Sequence, residues 1–172
     1  MWQQEHLVSQ TIDYRIRALT ATDESILWTM LMYAAHESSV ENVRSHPDLL
    51  RYVKDWGRAG DLGFVAIDEK PLGAAWLRLF PNTDRGFGYL ADGIPELAIA
   101  VFPEDRNRGI GTKLLMQIIA VARDIFPAIS LSVRSHSRAI SLYERIGFVK
   151  VDGSEMIDRT GGSSFKMSYK YS

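Results

Sequence analysis

Apolar residues recur along the chain with two different periods, which predict alternating strands and helices. Alternation of Tyr14 and Ile16 with charged residues predicts a first strand, and Thr20 followed by Asp23 predicts a capped helix start. A second helix is predicted over residues 45–57, ending in glycine. The apolar positions of the first helix are Ile26, Leu27, Met30, Leu31, Ala34 and Ala35.

An antiparallel hairpin is predicted in the middle of the chain. Residues 64–67 and 74–80 are strand-like, and the charged turn between them contains Pro71 and Gly73. Residues 81–95 form a loop rich in glycine, aspartate, proline and arginine. A loop of this length is more typical of a functional segment than of a simple connection.

A strand, a helix and a second strand follow, which is the pattern of a right-handed parallel crossover. The segments are residues 96–101, 111–124 and 129–133. A last helix over residues 137–146 ends at Gly147 and is followed by a closing hairpin. The expected fold class is therefore α/β (α+β), with a mixed, mostly antiparallel sheet of six to seven strands flanked by helices.

Length and composition limit the kind of protein. A chain of 172 residues with 46% hydrophobic and 24% charged residues is typical of one globular domain, so we expect a single domain over residues 1–172 with a flexible tail over residues 1–11. The net charge of −1 argues against nucleic acid as the main partner. We also expect a cytoplasmic protein without a membrane partner, because no apolar run suits a membrane helix or a signal peptide. The chain has no cysteine, which excludes a thiolate nucleophile, and its histidines lack metal-ligand spacing, so no metal is expected.

A glycine-rich turn between the strand ending at Val101 and the next helix is the most informative segment. Such a turn presents unpaired backbone amides at the positive end of a helix dipole, which is suited to a diphosphate. The segment lacks the Gly-Lys-Ser/Thr of a P-loop and the third glycine of a dinucleotide fingerprint. Taken alone, it could also be an ordinary helix entry. It reads Arg106, Asn107, Arg108, Gly109, Ile110, Gly111 and Thr112.

A second motif resolves this ambiguity. It begins at Ala139, contains Leu142 and Tyr143, and ends with Gly147 and Phe148. Together the two segments resemble the two signatures of the GNAT superfamily of acyl-CoA-dependent N-acetyltransferases, which are Arg/Gln-x-x-Gly-x-Gly/Ala and Ala-x-x-Leu-Tyr-x-x-x-Gly-Phe. The resemblance is best over residues 96–148, and both motifs stand in the order that the family has.

The resemblance implies acetyl-CoA as cosubstrate. The turn would wrap the coenzyme pyrophosphate, and the preceding strand would diverge from its neighbour so that its backbone pairs with the pantetheine arm. His136 stands where the family often has asparagine, and Ser137 beside it is a candidate helix N-cap. The implied coenzyme-binding residues are Ile99, Ala100, Val101, Arg106, Asn107, Arg108, Gly109, Ile110, Gly111, Thr112, His136, Ser137 and Tyr143.

Two residues match catalytic positions of the family. Tyr143 would protonate the departing thiolate, and Glu96 would accept the proton of the amine through water. A backbone amide of the strand would stabilise the charge that develops on the thioester carbonyl oxygen. The alternatives are that Glu96 is an exposed strand-end carboxylate and that Tyr143 only packs on the sheet.

The acceptor is predicted to be a primary amine of a small molecule. Because the chain has no cysteine to carry an acetyl group, transfer would go directly from coenzyme to amine in a ternary complex. A protein N-terminal or lysine acetyltransferase and a non-catalytic acyl-CoA-binding module remain as alternatives, and a homodimer is left open. The candidate acceptor residues are Trp28, Tyr33, Trp76, Tyr89 and Asp92.

Overall fold

The computed structural model describes residues 14–172, so the predicted tail over residues 1–11 lies outside the described residues. Eight strands are found within the described range: Arg15–Ala18 (β1), Leu62–Ile67 (β2), Pro71–Arg78 (β3), Glu96–Val101 (β4), Ala128–Arg134 (β5), Val149–Lys150 (β6), Met156–Ile157 (β7) and Ser163–Lys170 (β8). The α-helices of the same range are Glu24–Ala34 (α1), Val40–Ser45 (α2), Pro47–Leu50 (α3), Ile110–Ala122 (α4) and Ala139–Ile146 (α5).

One mixed sheet contains all the strands found in residues 14–172. Its order is β1-β2-β3-β4-β5-β8-β6, and β7 also pairs with β8. β4 and β5 are parallel, whereas the other described pairs are antiparallel. The predicted mixed, mostly antiparallel sheet is therefore confirmed. It has more strands than the expected six to seven because β6 and β7 are separate strands of two residues each.

Helices cover both faces of the sheet. Val65 and Trp76 belong to the core cluster that packs under α1, α2 and α3, which we call the α1 face. Phe64 and Leu77 point the opposite way into the core cluster shared with α4 and α5, which we call the α4 face. Because both faces are buried, β2 and β3 are apolar along most of their length instead of alternating with polar residues.

The parallel strands β4 and β5 separate soon after they begin. Their paired register in the described residues is limited to Glu96 and Ser130, where the Ser130 N–H donates to the Pro95 carbonyl oxygen at 3.0 Å. β4 stays paired with β3 along its whole length. A gap therefore opens between β4 and β5 towards their carboxyl ends.

The segment after α1 differs from its prediction. The prediction of a single helix over residues 45–57 is wrong, because α2 ends at Ser45, α3 has only four residues, and turns follow. The carbonyl oxygens of Arg51 and Lys54 accept hydrogen bonds from the guanidinium of Arg78 at 3.0 and 2.6 Å. Gly57 has a φ of 105°, which a helix does not allow. Tertiary contacts to β3 thus replace the helical hydrogen bonds that the apolar pattern predicts.

A buried ion pair fixes this turn segment to the end of β3. The Arg78 guanidinium donates from Nε and Nη2 to the two carboxylate oxygens of Asp61, at 3.0 and 2.8 Å. Asp61 Oδ2 also accepts the N–H groups of Gly57 and Arg58 at 2.9 and 3.1 Å. The side chains of Arg78 and Asp61 are only 1% and 3% exposed, so both charges depend on each other for stabilisation.

Candidate active site

Glu96 is the first residue of β4, at the point where β4 and β5 are still paired. Its side chain lies beside Tyr52 and is 3% exposed, so the alternative of an exposed strand-end carboxylate is wrong. Oε1 accepts hydrogen bonds from the Tyr52 hydroxyl at 2.6 Å and from the Gly88 N–H at 2.8 Å. Oε2 is buried and has no hydrogen-bond partner among residues 14–172.

Two glycines of the long loop over residues 81–95 lie against this carboxylate. A Cβ atom on Gly86 would be 2.0 Å from Glu96 Oε2. A Cβ atom on Gly88 would be 2.8 Å from Glu96 Oε1 and 2.7 Å from the carbonyl carbon of Leu131 in β5. Only glycine at these two positions lets the loop pack on both the carboxylate and β5. The length of the loop is therefore used to enclose Glu96.

The environment of Glu96 raises its pKa to about 7, and burial is the largest cause. Hydrogen bonds from Tyr52 and Gly88 lower the pKa, as do the positive charges of Lys166 and Arg51, but burial outweighs them. A carboxylate with this pKa is partly ionised at neutral pH. It can therefore accept a proton and release it again near pH 7, as a general base must.

Tyr143 lies on α5 with its ring packed against Phe148, at 5.8 Å between ring centroids. The residue is 9% exposed, and burial raises the pKa of its hydroxyl to about 12. A phenol with this pKa stays protonated at neutral pH and can act as a proton donor. Packing and proton donation are thus compatible at this position.

The turn before α4 has the backbone geometry of an anion cradle. Asn107 and Gly109 both have left-handed conformations, with φ of 62° and 76°. The first hydrogen bond of α4 runs from the Lys113 N–H to the Gly109 carbonyl oxygen at 3.1 Å. The space in front of Gly109 is open, since a Cβ atom there would meet nothing within 4 Å. The amides that precede this bond at the positive end of α4 belong to Ile110, Gly111 and Thr112.

The two arginines of the turn are held by neighbouring groups of the chain. Arg108 donates to Asp105 at 2.6 Å, and the Arg106 Nε donates to the Val101 carbonyl oxygen at 3.4 Å. Asp105 is buried, and its Oδ2 has no partner within residues 14–172. The cradle is thus built mainly from backbone amides, with Arg108 fixed at its side.

Backbone groups of β4 face the gap at alternate residues. The Phe102 N–H, just after β4, donates to the Leu72 carbonyl oxygen at 2.9 Å on the β3 side. Because an antiparallel strand points its backbone groups alternately to its two sides, Ile99 and Val101 present theirs to the gap. The backbone of Ala100 points to β3 instead, so the expectation that Ala100 also pairs with a ligand through its backbone is wrong.

The turn between β5 and α5 contains His136 and Ser137. His136 is exposed. The Ser137 Oγ accepts the Ala139 N–H at 3.1 Å, but the N-cap position is occupied by Arg138, so the predicted N-cap is one residue early. Both residues lie directly after β5, at the open end of the gap.

Two of the five candidate acceptor residues are in the core. Trp76 is 1% exposed, and its indole N–H donates to the Tyr52 carbonyl oxygen at 3.0 Å. Trp28 is buried on α1 with the Arg44 guanidinium 4.6 Å from its ring centroid. The prediction that these tryptophans contact an acceptor is wrong, because their surfaces are already covered by the chain itself.

The other three candidate residues lie near the surface. Tyr33 packs edge-on against Phe102 with 5.4 Å between ring centroids, which places the end of α1 beside the end of β4. The Tyr89 hydroxyl donates to Asp92 at 2.6 Å. These side chains remain available to an acceptor on the α1 face.

A bridge crosses the open end of the gap on the α1 face. Ser164 of β8 lies opposite Arg134, the last residue of β5. Between β7 and β8, Arg159 forms an ion pair with Glu37 and donates to the Ala35 carbonyl oxygen at 2.6 Å. The loop of the last hairpin is thereby joined to the end of α1.

Three residues of this region were not predicted from the sequence. They are Tyr52, Arg159 and Lys166, whose Nζ donates to the Tyr89 carbonyl oxygen at 2.6 Å. Tyr52 stands among apolar residues that resemble a helix face, and the two basic residues stand in no recognisable motif. Only their long-range contacts identify them.

Residues 14–172 contain no helix with both the length and the apolar character of a membrane crossing. The same residues contain no group of three or more histidine, aspartate or glutamate side chains placed to bind a metal ion.

Comparison with known families identifies the same region. The model of the Acetyltransferase (GNAT) family matches residues 28–148, which contain Glu96, the cradle and Tyr143. No curated protein matches the chain at a significant level.

Several solved structures share the fold at low sequence identity. A ribosomal-protein-alanine N-acetyltransferase from Brucella melitensis is 20% identical, with a TM-score of 0.67 over 91% of this chain and 99% of the other. NAA60 from Arabidopsis thaliana, in complex with acetyl-CoA, is 17% identical, with a TM-score of 0.65 over 92% and 98%. Spermidine/spermine N-acetyltransferase SpeG from Vibrio cholerae is 19% identical, with a TM-score of 0.61 over 91% and 92%. At these identities the likeness confirms the predicted fold and leaves the acceptor open.

Proposed function

The chain belongs to the GNAT family of acetyltransferases, and on this premise we propose that it transfers an acetyl group from acetyl-CoA directly to a primary amine of a small molecule. The observation that carries the proposal is the enclosed carboxylate of Glu96, with a pKa of about 7, at the head of a strand that borders the gap. A single domain over residues 1–172 is also proposed, which the one shared sheet supports.

The chain offers backbone groups to each part of acetyl-CoA. We assign the pyrophosphate to the amides at the start of α4, because the turn is open at Gly109 and carries two left-handed residues. We assign the pantetheine arm to the backbone groups of Ile99 and to the N–H of Val101, which face the gap, since the Val101 carbonyl oxygen already accepts from Arg106. Acetyl-CoA supplies the activated thioester.

Glu96 and Tyr143 handle the two protons of the reaction. Glu96 accepts the proton of the amine through a water molecule, since its carboxylate is almost fully buried. The neutral nitrogen then forms its bond to the acetyl carbon, and a strand amide facing the gap stabilises the negative charge on the carbonyl oxygen. The carbon–sulfur bond breaks, and the Tyr143 hydroxyl gives its proton to the departing thiolate. The second proton of the attacking nitrogen then returns to the Tyr143 oxygen as the neutral amide forms, and Glu96 releases its proton to solvent.

Restricted space on the α1 face supports a small acceptor. The Arg159 bridge joins the last hairpin to the end of α1, and Lys166 holds the long loop at Tyr89. We infer that these two contacts limit access from the α1 face, which favours a small acceptor over a peptide. The structural neighbours include enzymes named for spermidine/spermine and for ribosomal-protein alanine, so both acceptor classes belong in the test.

The proposal is tested by release of free coenzyme A thiol from acetyl-CoA with a panel of acceptors. The panel contains small amines, peptides with a free N-terminus and peptides whose only amine is a lysine side chain. We expect release with at least one small amine and at least tenfold lower kcat/KM with both peptide classes. Preference for a peptide would assign the protein to the alternative acceptor class. Tight acetyl-CoA binding without release for any acceptor would indicate a binding module.

Tyr143→Phe is expected to lower kcat by about 10- to 1,000-fold, the range for loss of one general acid. The ring stays packed against Phe148, so acetyl-CoA affinity should not change. Steady-state kinetics and calorimetric titration measure the two quantities. Tyr171→Phe is the matched control, because it removes a hydroxyl that donates to the Ile119 carbonyl oxygen at 2.5 Å on the α4 face. An unchanged kcat in Tyr143→Phe would remove Tyr143 from the mechanism.

Arg108→Ala is expected to weaken acetyl-CoA binding about 5- to 30-fold, because it removes a charge from the cradle. It also leaves the buried Asp105 without its ion-pair partner, and the resulting negative charge repels phosphate. Lys113→Ala is the control, since the Lys113 ammonium lies over the Tyr14 ring, 5.3 Å from its centroid. Calorimetric titration compares the dissociation constants. Equal constants for Arg108→Ala and the wild type would contradict the pyrophosphate assignment.

A further inference from the structure

Tyr52 has a buried hydroxyl group that has no role in the proposed acetyl transfer. It lies in the turn segment after α3, and its hydroxyl donates to Glu96 Oε1 at 2.6 Å. The Tyr52 hydroxyl oxygen in turn accepts a hydrogen bond from the N–H of Phe87, in the loop over residues 81–95, at 2.8 Å. One hydroxyl thus connects the proposed base to the loop that encloses it.

The backbone around Tyr52 is fixed from two strand residues. The Trp76 indole N–H donates to the Tyr52 carbonyl oxygen at 3.0 Å. The Arg78 guanidinium donates to the carbonyl oxygens of Arg51 and Lys54, on either side of Tyr52, at 3.0 and 2.6 Å. These bonds come from β3, which pairs with β4. The hydroxyl is therefore held in a fixed position relative to Glu96.

The hydrogen bonds of Glu96 are distributed unequally between its two oxygens. Oε1 receives two donors, Tyr52 and Gly88, whereas Oε2 has none among residues 14–172 although it is buried. Buried polar atoms with a purely structural role are generally all satisfied. Oε1 is therefore the oxygen that the chain anchors, and Oε2, which lies against Gly86 and receives no donor from the described residues, is the oxygen left to accept a proton.

We propose that Tyr52 is a positioning residue for the general base, whose hydroxyl anchors Oε1 of Glu96 so that Oε2 takes the proton of the acceptor amine. The inference rests on the proposed function, in which Glu96 is that base. Tyr52 itself touches neither acetyl-CoA nor the acceptor in this assignment. Its effect is transmitted through the carboxylate alone.

The charges around Glu96 set the direction of the expected effect. Lys166 from β8 and Arg51 from the turn segment both favour the ionised carboxylate, and neither depends on the Tyr52 hydroxyl for its charge. The hydroxyl adds a donor that also favours the ionised form. Removing it should therefore raise the pKa of Glu96 further above its usual range. The base then needs a higher pH to become ionised.

The test is the pH dependence of kcat/KM in Tyr52→Phe. We expect the acidic limb to move up by about one pH unit, which is the effect of losing one hydrogen bond to a buried carboxylate. At pH 6.5 kcat/KM should fall about eightfold, whereas the KM for acetyl-CoA should stay within about twofold. Tyr171→Phe, which loses a hydrogen-bonded hydroxyl on the α4 face, should keep the wild-type limb.

The pH dependence of kcat/KM in Glu96→Gln distinguishes an error in the role of Tyr52 from an error in the assignment of Glu96 as the base. If Glu96→Gln loses the acidic limb but Tyr52→Phe keeps it at the wild-type pH, the role of Tyr52 is overturned and the base assignment stands. If Glu96→Gln keeps wild-type turnover and limb, both are overturned. Wild-type affinity for acetyl-CoA shows that each variant is folded.

Discussion

Loss of Arg78 is expected to lower the free energy of unfolding by about 3–5 kcal/mol, because its removal leaves a buried carboxylate without a counter-charge. In Arg78→Leu, Asp61 would keep only the N–H donors of Gly57 and Arg58. The carbonyl oxygens of Arg51 and Lys54 would lose their donor as well. Urea unfolding followed by circular dichroism measures the change.

Two controls show whether burial is the cause of this effect. Lys70→Ala breaks the ion pair between Lys70 and Glu104, whose side chains are both 59% exposed, and should cost no more than about 1 kcal/mol. The double variant Arg78→Leu/Asp61→Leu removes both buried charges and should be more stable than Arg78→Leu alone. A loss below about 1 kcal/mol in Arg78→Leu would mean that water reaches Asp61 and solvates it.

Glu96→Gln is expected to lower kcat/KM by about 100- to 10,000-fold, the range for loss of a general base. Glutamine has nearly the same shape, and its carbonyl oxygen can still accept from Tyr52 and Gly88. It cannot take a proton at neutral pH. Thiol-release kinetics measure the loss, and Glu104→Gln, an exposed carboxylate beyond the end of β4, is the matched control.

The pH dependence of kcat/KM should show that Glu96 is active only when it is ionised. Burial raises the pKa of Glu96 to about 7, so the carboxylate is protonated and inactive below that pH and ionised above it. The kcat/KM of the wild type should therefore rise with pH through about 7 and then level off. Glu96→Gln should lack this limb. A wild-type limb near pH 4.5, the usual pKa of a glutamate, would contradict the raised pKa, whereas a limb that persists in Glu96→Gln would mean that another group is the titrating base.

Local patterns were sufficient to predict the strands and helices that are regular along the chain. The hairpin of β2 and β3 and the crossover through α4 follow from apolar periodicity and from glycine and proline positions. The prediction failed between α1 and β2, where Arg78 competes for the carbonyl oxygens of Arg51 and Lys54. A residue 24 or 27 positions away is not part of any local pattern.

The difference between local patterns and long-range contacts also applies to the candidate site. The cradle and Tyr143 belong to continuous motifs, so the sequence alone is enough to predict both as site residues. The environment of Glu96 could not be predicted, because Tyr52 and Gly88 reach it from two different segments. Trp76 was misassigned since an indole on a strand looks equally suitable for a cleft or for the core.

The single pair of Glu96 and Ser130 has a mechanical consequence. The two diverging strands form a wedge whose vertex is this pair. When two arms rotate about a vertex, each point moves in proportion to its distance from it. A ligand that spreads the strands would therefore displace Val101 most and Glu96 least. The carboxylate would therefore keep its geometry even if a ligand widened the other end of the wedge.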